Sequence, residues 1–261
     1  MTIAGEAIEE SKGAVMSGEE VRERDVRTPR SAKGVVITQL VAYAALLIVA
    51  ALVSIWPSDP VLIVWTILVA VTGLGALLRW WPFDDTFRTS VVERMVSGLA
   101  GICAFVAAGM VVPHLVRDPG AATSRASITS WAVVFGILVT VLVIVGFITQ
   151  MLRTVRSHLI RSLSHAVFGG IACVSAAGWC FLPVFIAIAL TSGGGKHVAG
   201  VVIVMAVVLL ILLSLGAAAA SWWREGAEDG SHDYIGVALL PVMIGGIAMY
   251  MATLAMYFLI F

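Results

Sequence analysis

Charged residues are scarce in this sequence, and their scarcity decides the class of protein. Of the 261 residues, 12% are charged and 60% are hydrophobic, and the mean hydropathy is +1.03. A soluble domain carries roughly 25% charged residues, so this chain has too few to cover a surface that faces water. Sixteen basic and sixteen acidic residues cancel, and the balance therefore indicates no nucleic-acid partner.

Ionisable side chains are missing from the deep positions of the apolar runs. The polar residues at those positions are uncharged, for example Tyr43, Thr72, Ser175 and Thr253. Proton relays, voltage sensors and many ion-coupled carriers need a buried Asp, Glu, Lys or Arg. The absence counts against a proton-driven transporter and leaves a carrier for neutral solutes open.

Cysteine is also rare. Cys103, Cys173 and Cys180 all lie within apolar runs, which is typical of helix packing rather than of a disulfide or a metal site. His114 and His197 stand near the ends of two runs and offer an alternative ligand pair for haem or a metal. No haem-handling motif accompanies them, so we expect no cofactor and no metal.

Long apolar runs are what the sequence has in abundance. A spanning helix needs about 20 mainly apolar residues. Seven runs qualify, at 35–56, 60–78, 95–116, 128–152, 164–190, 198–221 and 235–260. Residues 1–33 are instead polar and charged, and such a segment buries too little apolar surface to fold. We therefore predict an all-α, polytopic membrane protein, with a disordered tail over residues 1–33 and a seven-transmembrane-helix bundle over residues 34–261.

Arginine and lysine are unevenly distributed between alternate loops. If the N-terminus is cytoplasmic, thirteen of the sixteen basic residues lie on the inner side. Inner loops of membrane proteins are enriched in these residues, so we predict a cytoplasmic N-terminus and an outer C-terminus. Arginine outnumbers lysine thirteen to three, a bias typical of bacterial genes of high GC content. We expect a multi-pass protein of the cytoplasmic (inner) cell membrane of a bacterium.

A basic patch precedes the fifth run and is the densest set of phosphate-competent side chains in the chain. It consists of Arg153, Arg156, Arg161 and His165. Guanidinium groups fork onto phosphate oxygens, and the inner leaflet supplies anionic lipid headgroups. The patch therefore predicts an anionic lipid or phosphate site, although a plain topology signal explains the same residues.

Acidic residues follow the second and sixth runs on the same predicted side of the membrane. Asp84, Asp85 and Asp229 are weak candidate ligands for a metal such as Mg²⁺, and beside the basic patch they permit a lipid-phosphate enzyme. Solvated loop acids are the simpler interpretation. No motif typical of a membrane enzyme accompanies them, so we favour a protein without enzymatic activity.

Small residues at four-residue spacing recur within the runs, most of all in the fifth. Gly169, Cys173 and Ala177 illustrate the pattern. Helices approach closely where side chains are small, so we expect the fifth run at the centre of the bundle. Pro183 and Pro241 predict kinks in the fifth and seventh runs.

Three functions are compatible with this sequence. The first is a non-enzymatic membrane component, an accessory or permease-like subunit of a larger complex, which fits the small loops and the missing catalytic motifs. The second is a carrier or channel for a neutral solute or lipid, which a polar cavity flanked by Pro183 and Pro241 would support. The third is a cytoplasmic-face lipid-phosphate enzyme, which requires Asp84 or Asp85 to meet the basic patch. As partners we expect the bilayer with its anionic inner-leaflet lipids, and another membrane protein or a second copy of the chain.

Overall fold

The computed structural model describes seven stretches of the chain, and every regular element within them is a helix. The described residues are 33–55, 60–82, 91–117, 122–152, 159–191, 198–226 and 234–260. The helices are α1 (Lys33–Ile55), α2 (Pro60–Arg79), α3 (Val91–Arg117), α4 (Ala122–Met151), α5 (Leu159–Ser175), α6 (Leu182–Thr191), α7 (Val198–Gly226) and α8 (Tyr234–Ile260). A short 3₁₀ helix, Ala176–Phe181, joins α5 directly to α6. Apart from Lys33, the predicted tail lies outside the described residues.

Six of the described helical segments are long and apolar enough to cross a membrane. They are α1, α3, α4, α7, α8 and the continuous segment of α5, the 3₁₀ helix and α6. The predicted second run also forms a helix, and the stretch of it whose side chains are described, Val64–Arg79, is an apolar helix shorter than the other six. The all-α class and the multi-pass membrane character are therefore supported, while the count of seven spans stays a prediction.

Some helices extend beyond the apolar runs that predicted them. α3 begins at Val91 rather than at 95, and α4 begins at Ala122 rather than at 128. An apolar run marks only the part of a helix that meets lipid, because the helix continues wherever its backbone stays hydrogen-bonded. Hydropathy therefore predicted where helices lie but not their polar ends.

The fifth apolar run lies at the centre of the bundle, as its small residues predicted. Of its most apolar window, 83% is buried inside the protein, against 11% for α4 and 11% for α7. Every residue from 172 to 185 is buried. Its 3₁₀ helix packs against α2, α3 and α8, so the centre of the bundle is formed around an irregular piece of backbone.

α8 is the second central helix, and it crosses the 3₁₀ helix with the two backbones in direct contact. A Cβ atom at Gly178 would meet the carbonyl oxygen of Gly246. A Cβ atom at Gly246 would in turn meet the carbonyl oxygen of Ser175. Glycine is therefore required on both sides of this crossing, because no flexible side chain is there to move aside.

One end of the bundle collects basic side chains. There α1, α3 and α8 begin and α2 ends, since Gly34 faces the ring of Tyr234 and Gly98 faces Leu78. The start of α5 meets the end of α4 at the same end, where Gly146 faces Leu163. We call this the basic end, and its described basic side chains are Lys33, Arg79 and Arg94.

Candidate functional site

The most unusual feature of the bundle is the interruption of the central helix by the 3₁₀ helix Ala176–Phe181. We call this interruption the break. Pro183 has no N–H group, so it cannot donate to the carbonyl of Trp179 as an α-helix requires. The N–H of Leu182 donates to that carbonyl instead, which is the spacing of a 3₁₀ helix. The backbone is therefore irregular just before Pro183, while the kinks predicted at Pro183 and Pro241 stay predictions. α8, in contrast, remains an α-helix from Tyr234 to Ile260 with Pro241 inside it.

Trp179 ties the break to α8. Its indole N–H donates to the carbonyl of Val242, with 2.7 Å between Nε1 and the oxygen. A buried N–H group without an acceptor is costly in an apolar interior, so this bond fixes the position of the ring. The centroid of the same ring lies 5.9 Å from that of Tyr43 on α1, and Trp179 therefore connects three parts of the bundle.

An aromatic cluster fills the half of the bundle that lies beyond the break from the basic end. Trp131 of α4, Phe181 of the 3₁₀ helix and Tyr250 of α8 are all buried. Their ring centroids are 4.4 to 5.2 Å apart, and the hydroxyl of Tyr250 donates to the carbonyl of Ile128 at 2.8 Å. Packing of this density works against a solute path through this half of the bundle.

Three buried polar groups near the break have no hydrogen-bond partner among the described residues. They are Nε2 of Gln39, the hydroxyl of Tyr43 and Oγ of Ser175. Gln39 is 7% exposed and Ser175 is fully buried. Gln39 and Tyr43 are one turn apart and share a face of α1, so two unpartnered donors point to the same side of that helix.

Sequence reasoning noted Tyr43 and Ser175 as polar residues at depth, and it missed Gln39. A signal was available, because Gln39 and Tyr43 are polar residues at helical spacing in a run that is otherwise apolar apart from Thr38 and Ser54. The sequence does not show that the polar atoms of Gln39 and Tyr43 lack hydrogen-bond partners. That property depends on which residues of other helices face them.

Only part of the predicted basic patch is described, on the first turns of α5. Arg153 and Arg156 lie outside the described residues, and Arg161 is described only as part of the backbone of α5. His165 is half-buried on α5. The acidic candidates outside the described residues are Asp84, Asp85 and Asp229. The anionic-lipid site and the metal candidates therefore stay predictions.

A cleft opens at the basic end between α3, α4 and α5. Its empty space is about 290 Å³, which includes its open mouth. The lining residues are Val96, Ser97, Leu142, Val145, Gly146, Thr149 and Ala166. The hydroxyl of Thr149 already donates to the carbonyl of Gly146 at 2.9 Å. The lining is mostly apolar and contains no charged side chain, which suits an acyl chain better than a charged headgroup.

Cysteine and histidine are spread apart in the part of the chain that the structure describes. Within it, no group of three or more His, Cys, Asp or Glu residues is placed to hold a metal ion. Cys173 and Cys180 are buried, Cys103 is exposed, and all three are free thiols. His114 is exposed on α3, and His197 lies outside the described residues.

Comparisons of the chain with protein-family models, with curated proteins and with solved structures found no match. The long apolar helices indicate a multi-pass membrane protein. Any more specific function has to be inferred from the packing of those helices and from the polar groups between them.

Tyr43 and Tyr250 offer a matched test of these polar groups. We expect Tyr250→Phe to lower the free energy of unfolding by about 1 kcal/mol, since it removes a buried hydrogen bond between helices. Tyr43→Phe should leave stability unchanged or raise it, because the hydroxyl has no partner to lose. Reversible unfolding of the purified protein in mixed micelles measures both. An equal loss in the two variants would show that Tyr43 is bonded within the protein.

Proposed function

We propose that this chain is a non-enzymatic accessory or permease-like subunit of a larger membrane complex. In this proposal it crosses the cytoplasmic membrane of a bacterium seven times, with the N-terminus inside and the C-terminus outside. The observation that carries the proposal is the contrast between a tightly packed centre and rim helices that have few neighbours within the chain.

α7 is the clearest rim helix. It packs against α8 and meets α1 where Gly216 faces Gln39, yet 11% of its most apolar window is buried. Large side chains such as Leu210 and Leu213 are 67% and 71% exposed. α7 makes its main contact with α8 along one side, and a spanning helix with so little buried surface keeps the rest for lipid or for another protein. This surface supports the subunit interpretation.

The packed centre also favours a subunit over a carrier. Gly178 and Gly246 bring two backbones into contact, and the cluster around Trp131 fills the half of the bundle away from the basic end. A carrier needs a cavity that opens to each side in turn. The close crossing leaves little freedom for the central helices to separate, since packed cores resist continuous deformation.

The orientation rests on charge. Lys33, Arg79 and Arg94 all lie on helices at the basic end, and the loops predicted on that side contain most of the remaining arginine residues. Positive residues are retained on the cytoplasmic side during insertion. The proposal therefore places the basic end, with the cleft between α3, α4 and α5, at the inner leaflet.

A carrier or channel for a neutral solute or lipid is the second candidate, and the broken central helix favours it. Discontinuous helices at mid-bundle form the substrate sites of many transporters, and Ser175 leaves an unpartnered hydroxyl beside the break. The lipid-phosphate enzyme requires Asp84 or Asp85 beside the basic patch, and it stays a prediction because both acids lie outside the described residues.

Photo-crosslinking in native membranes tests the subunit proposal. A photoreactive residue placed at Leu213 of α7 or at Ile137 of α4, both exposed, should give one discrete adduct of defined mass from at least one of the two helices. The matched control is Met243, which is buried inside the bundle and should give intramolecular products alone. Lipid adducts alone from both rim helices would contradict a subunit. Glycerol flux into proteoliposomes of the purified chain would then favour the carrier.

A further inference from the structure

We propose that α1, α7 and α8 form a binding site for a neutral, membrane-dissolved molecule that carries a hydrogen-bond-accepting oxygen. The site consists of Gln39 and Tyr43 on α1, with Trp179 of the central helix beside them. It goes beyond the subunit role and does not depend on it, because such a ligand fits a subunit and a carrier equally well.

The two unpartnered donors are the first reason. Nε2 of Gln39 and the hydroxyl of Tyr43 are buried and have no partner among the described residues. Leaving a polar group unpaired in an apolar interior costs about 1–3 kcal/mol, and more in hydrocarbon. Leucine and phenylalanine would fill the same volume without that cost. An amide nitrogen can only donate, so the missing partner has to supply an acceptor.

The placement of the donors is the second reason. Residues one turn apart on a helix have Cβ atoms about 5–6 Å from each other, so the two donors belong to neighbouring side chains on one face of α1. Opposite them, α7 and α8 present glycine. Oε1 of Gln39 lies 3.2 Å from the position of a Cβ on Gly216, and the hydroxyl of Tyr43 lies 3.9 Å from that of Gly245. We call the line along which α1 faces α7 and α8 the seam. Leu212 Cδ2 of α7 lies 2.6 Å from the Cβ position on Gly245, so a ligand oxygen reaches the donors by displacing the flexible end of Leu212.

Trp179 supplies an apolar wall for the site. Its N–H group is already bonded to the carbonyl of Val242, so it neither competes for the acceptor nor satisfies Tyr43. The position of a Cβ on Gly245 lies 3.2 Å from Cζ2 of the indole and 3.9 Å from the Tyr43 hydroxyl. The indole ring, the phenol hydroxyl and Leu212 Cδ2 therefore all lie close to Gly245, which makes an aromatic surface and a hydrogen-bond donor neighbours there.

The surrounding sequence limits the ligand to neutral molecules. Residues 34–55, 198–223 and 234–260 contain no Asp, Glu, Lys, Arg or His. A charged group would have no counter-ion in this seam, and burying it there would be costly. The complement to two neutral donors is a neutral oxygen, such as that of an ester, a ketone or a hydroxyl.

The bilayer is the route of entry. Of the most apolar windows of α1 and α7, 22% and 11% are buried, so the seam between these helices borders lipid rather than the packed centre. Two kinds of membrane molecule carry the required oxygen without charge. They are diacylglycerol-type lipids, through their ester carbonyls, and isoprenoid quinones, through their ring carbonyls.

Equilibrium binding to the full chain in nanodiscs of zwitterionic lipid tests the site, with dioleoylglycerol and decylubiquinone as the two probes. We expect saturable binding of one probe, and the probe that binds identifies the source of the oxygen. Gln39→Leu and Tyr43→Phe should each weaken that binding by about tenfold, the effect of one lost hydrogen bond. The matched control is Thr140→Val on α4, a lipid-exposed residue whose hydroxyl bonds within its own helix, and it should bind as the wild type does.

Two results would overturn the proposal. One is binding of both probes that does not saturate or that is equal in the wild type and in both variants. The other is a loss of stability in Gln39→Leu without any change in binding, because the amide would then be bonded within the protein. Neither result affects the photo-crosslinking of α4 and α7, which tests the subunit proposal. Failure of this site is therefore distinguishable from failure of that proposal.

Discussion

Leucine at Gly178 or at Gly246 is expected to prevent the bundle from forming. A side chain at either position would have to occupy the space of a carbonyl group on the facing backbone. Overpacking a core ordinarily costs about 1–3 kcal/mol because neighbouring side chains adjust. Here the neighbour is helical backbone, which cannot move without separating the central helix from α8. The cost should therefore approach the whole stability of a domain, about 5–15 kcal/mol.

The yield of monodisperse protein after extraction in mild detergent measures this effect, and thermal unfolding extends it to any variant that can be purified. Gly75→Leu and Gly136→Leu are the matched controls, since both glycines are exposed on helices and nothing lies within 4 Å of an added Cβ. Both controls should behave like the wild type. Folded Gly178→Leu protein at normal yield would show that the central crossing is not close.

The central role of the fifth run follows from its sequence, whereas the crossing itself does not. Small residues such as Gly169 and Ala177 predicted a buried helix because they permit close approach. The same argument predicts close packing for every small-residue repeat in the chain, so it does not identify which two helices cross. Nothing in the sequence pairs Gly178 with Gly246, since contacts between distant segments depend on how helices are arranged and not on local pattern. The sequence does not distinguish Gly75 and Gly136 from Gly178 and Gly246, yet Gly75 and Gly136 are exposed.

The sequence predicts some disturbance of the helix at Pro183, but it does not predict a 3₁₀ helix there. A proline removes one backbone hydrogen bond wherever it stands in a helix, so the sequence predicts equal disturbance at Pro183 and Pro241. The structure distinguishes them, because the backbone before Pro183 changes to a 3₁₀ helix while α8 continues through Pro241. The difference lies in the surroundings, where Gly178 permits the altered backbone to lie against α8.

The candidate site shows a sharper limit of sequence reasoning. The basic patch around Arg161 was conspicuous because charge is rare in this chain. Gln39 and Tyr43 were inconspicuous because single polar residues are tolerated in spanning helices when they find partners. Whether a buried amide has a partner is a property of the facing helices. Gln39 and Tyr43 face Gly216 and Gly245 in the structure, and the sequence of α1 alone does not identify those neighbours.

Trp179→Ala should destabilise the bundle by about 3–5 kcal/mol, the usual cost of removing a large buried aromatic side chain. The side chain is 2% exposed, so its removal leaves a cavity between the central helix, α1 and α8. Trp65→Ala is the matched control, because Trp65 is 51% exposed on α2 and its removal should cost well under half as much. Unfolding of each purified variant in mixed micelles gives the two free energies.

Trp179→Phe separates the two parts of that effect. Phenylalanine keeps most of the ring volume but loses the indole N–H, so the loss should fall to about 1–2 kcal/mol, the range for one buried hydrogen bond together with a small void. If Trp179→Phe were as damaging as Trp179→Ala, the bond to the Val242 carbonyl would be what holds the break against α8. If Trp65→Ala and Trp179→Ala were equally mild, the ring would not be packed between the three elements. Because the same ring borders the seam of Gln39 and Tyr43, the phenylalanine variant should also retain binding of a neutral ligand there, while the alanine variant should lose it.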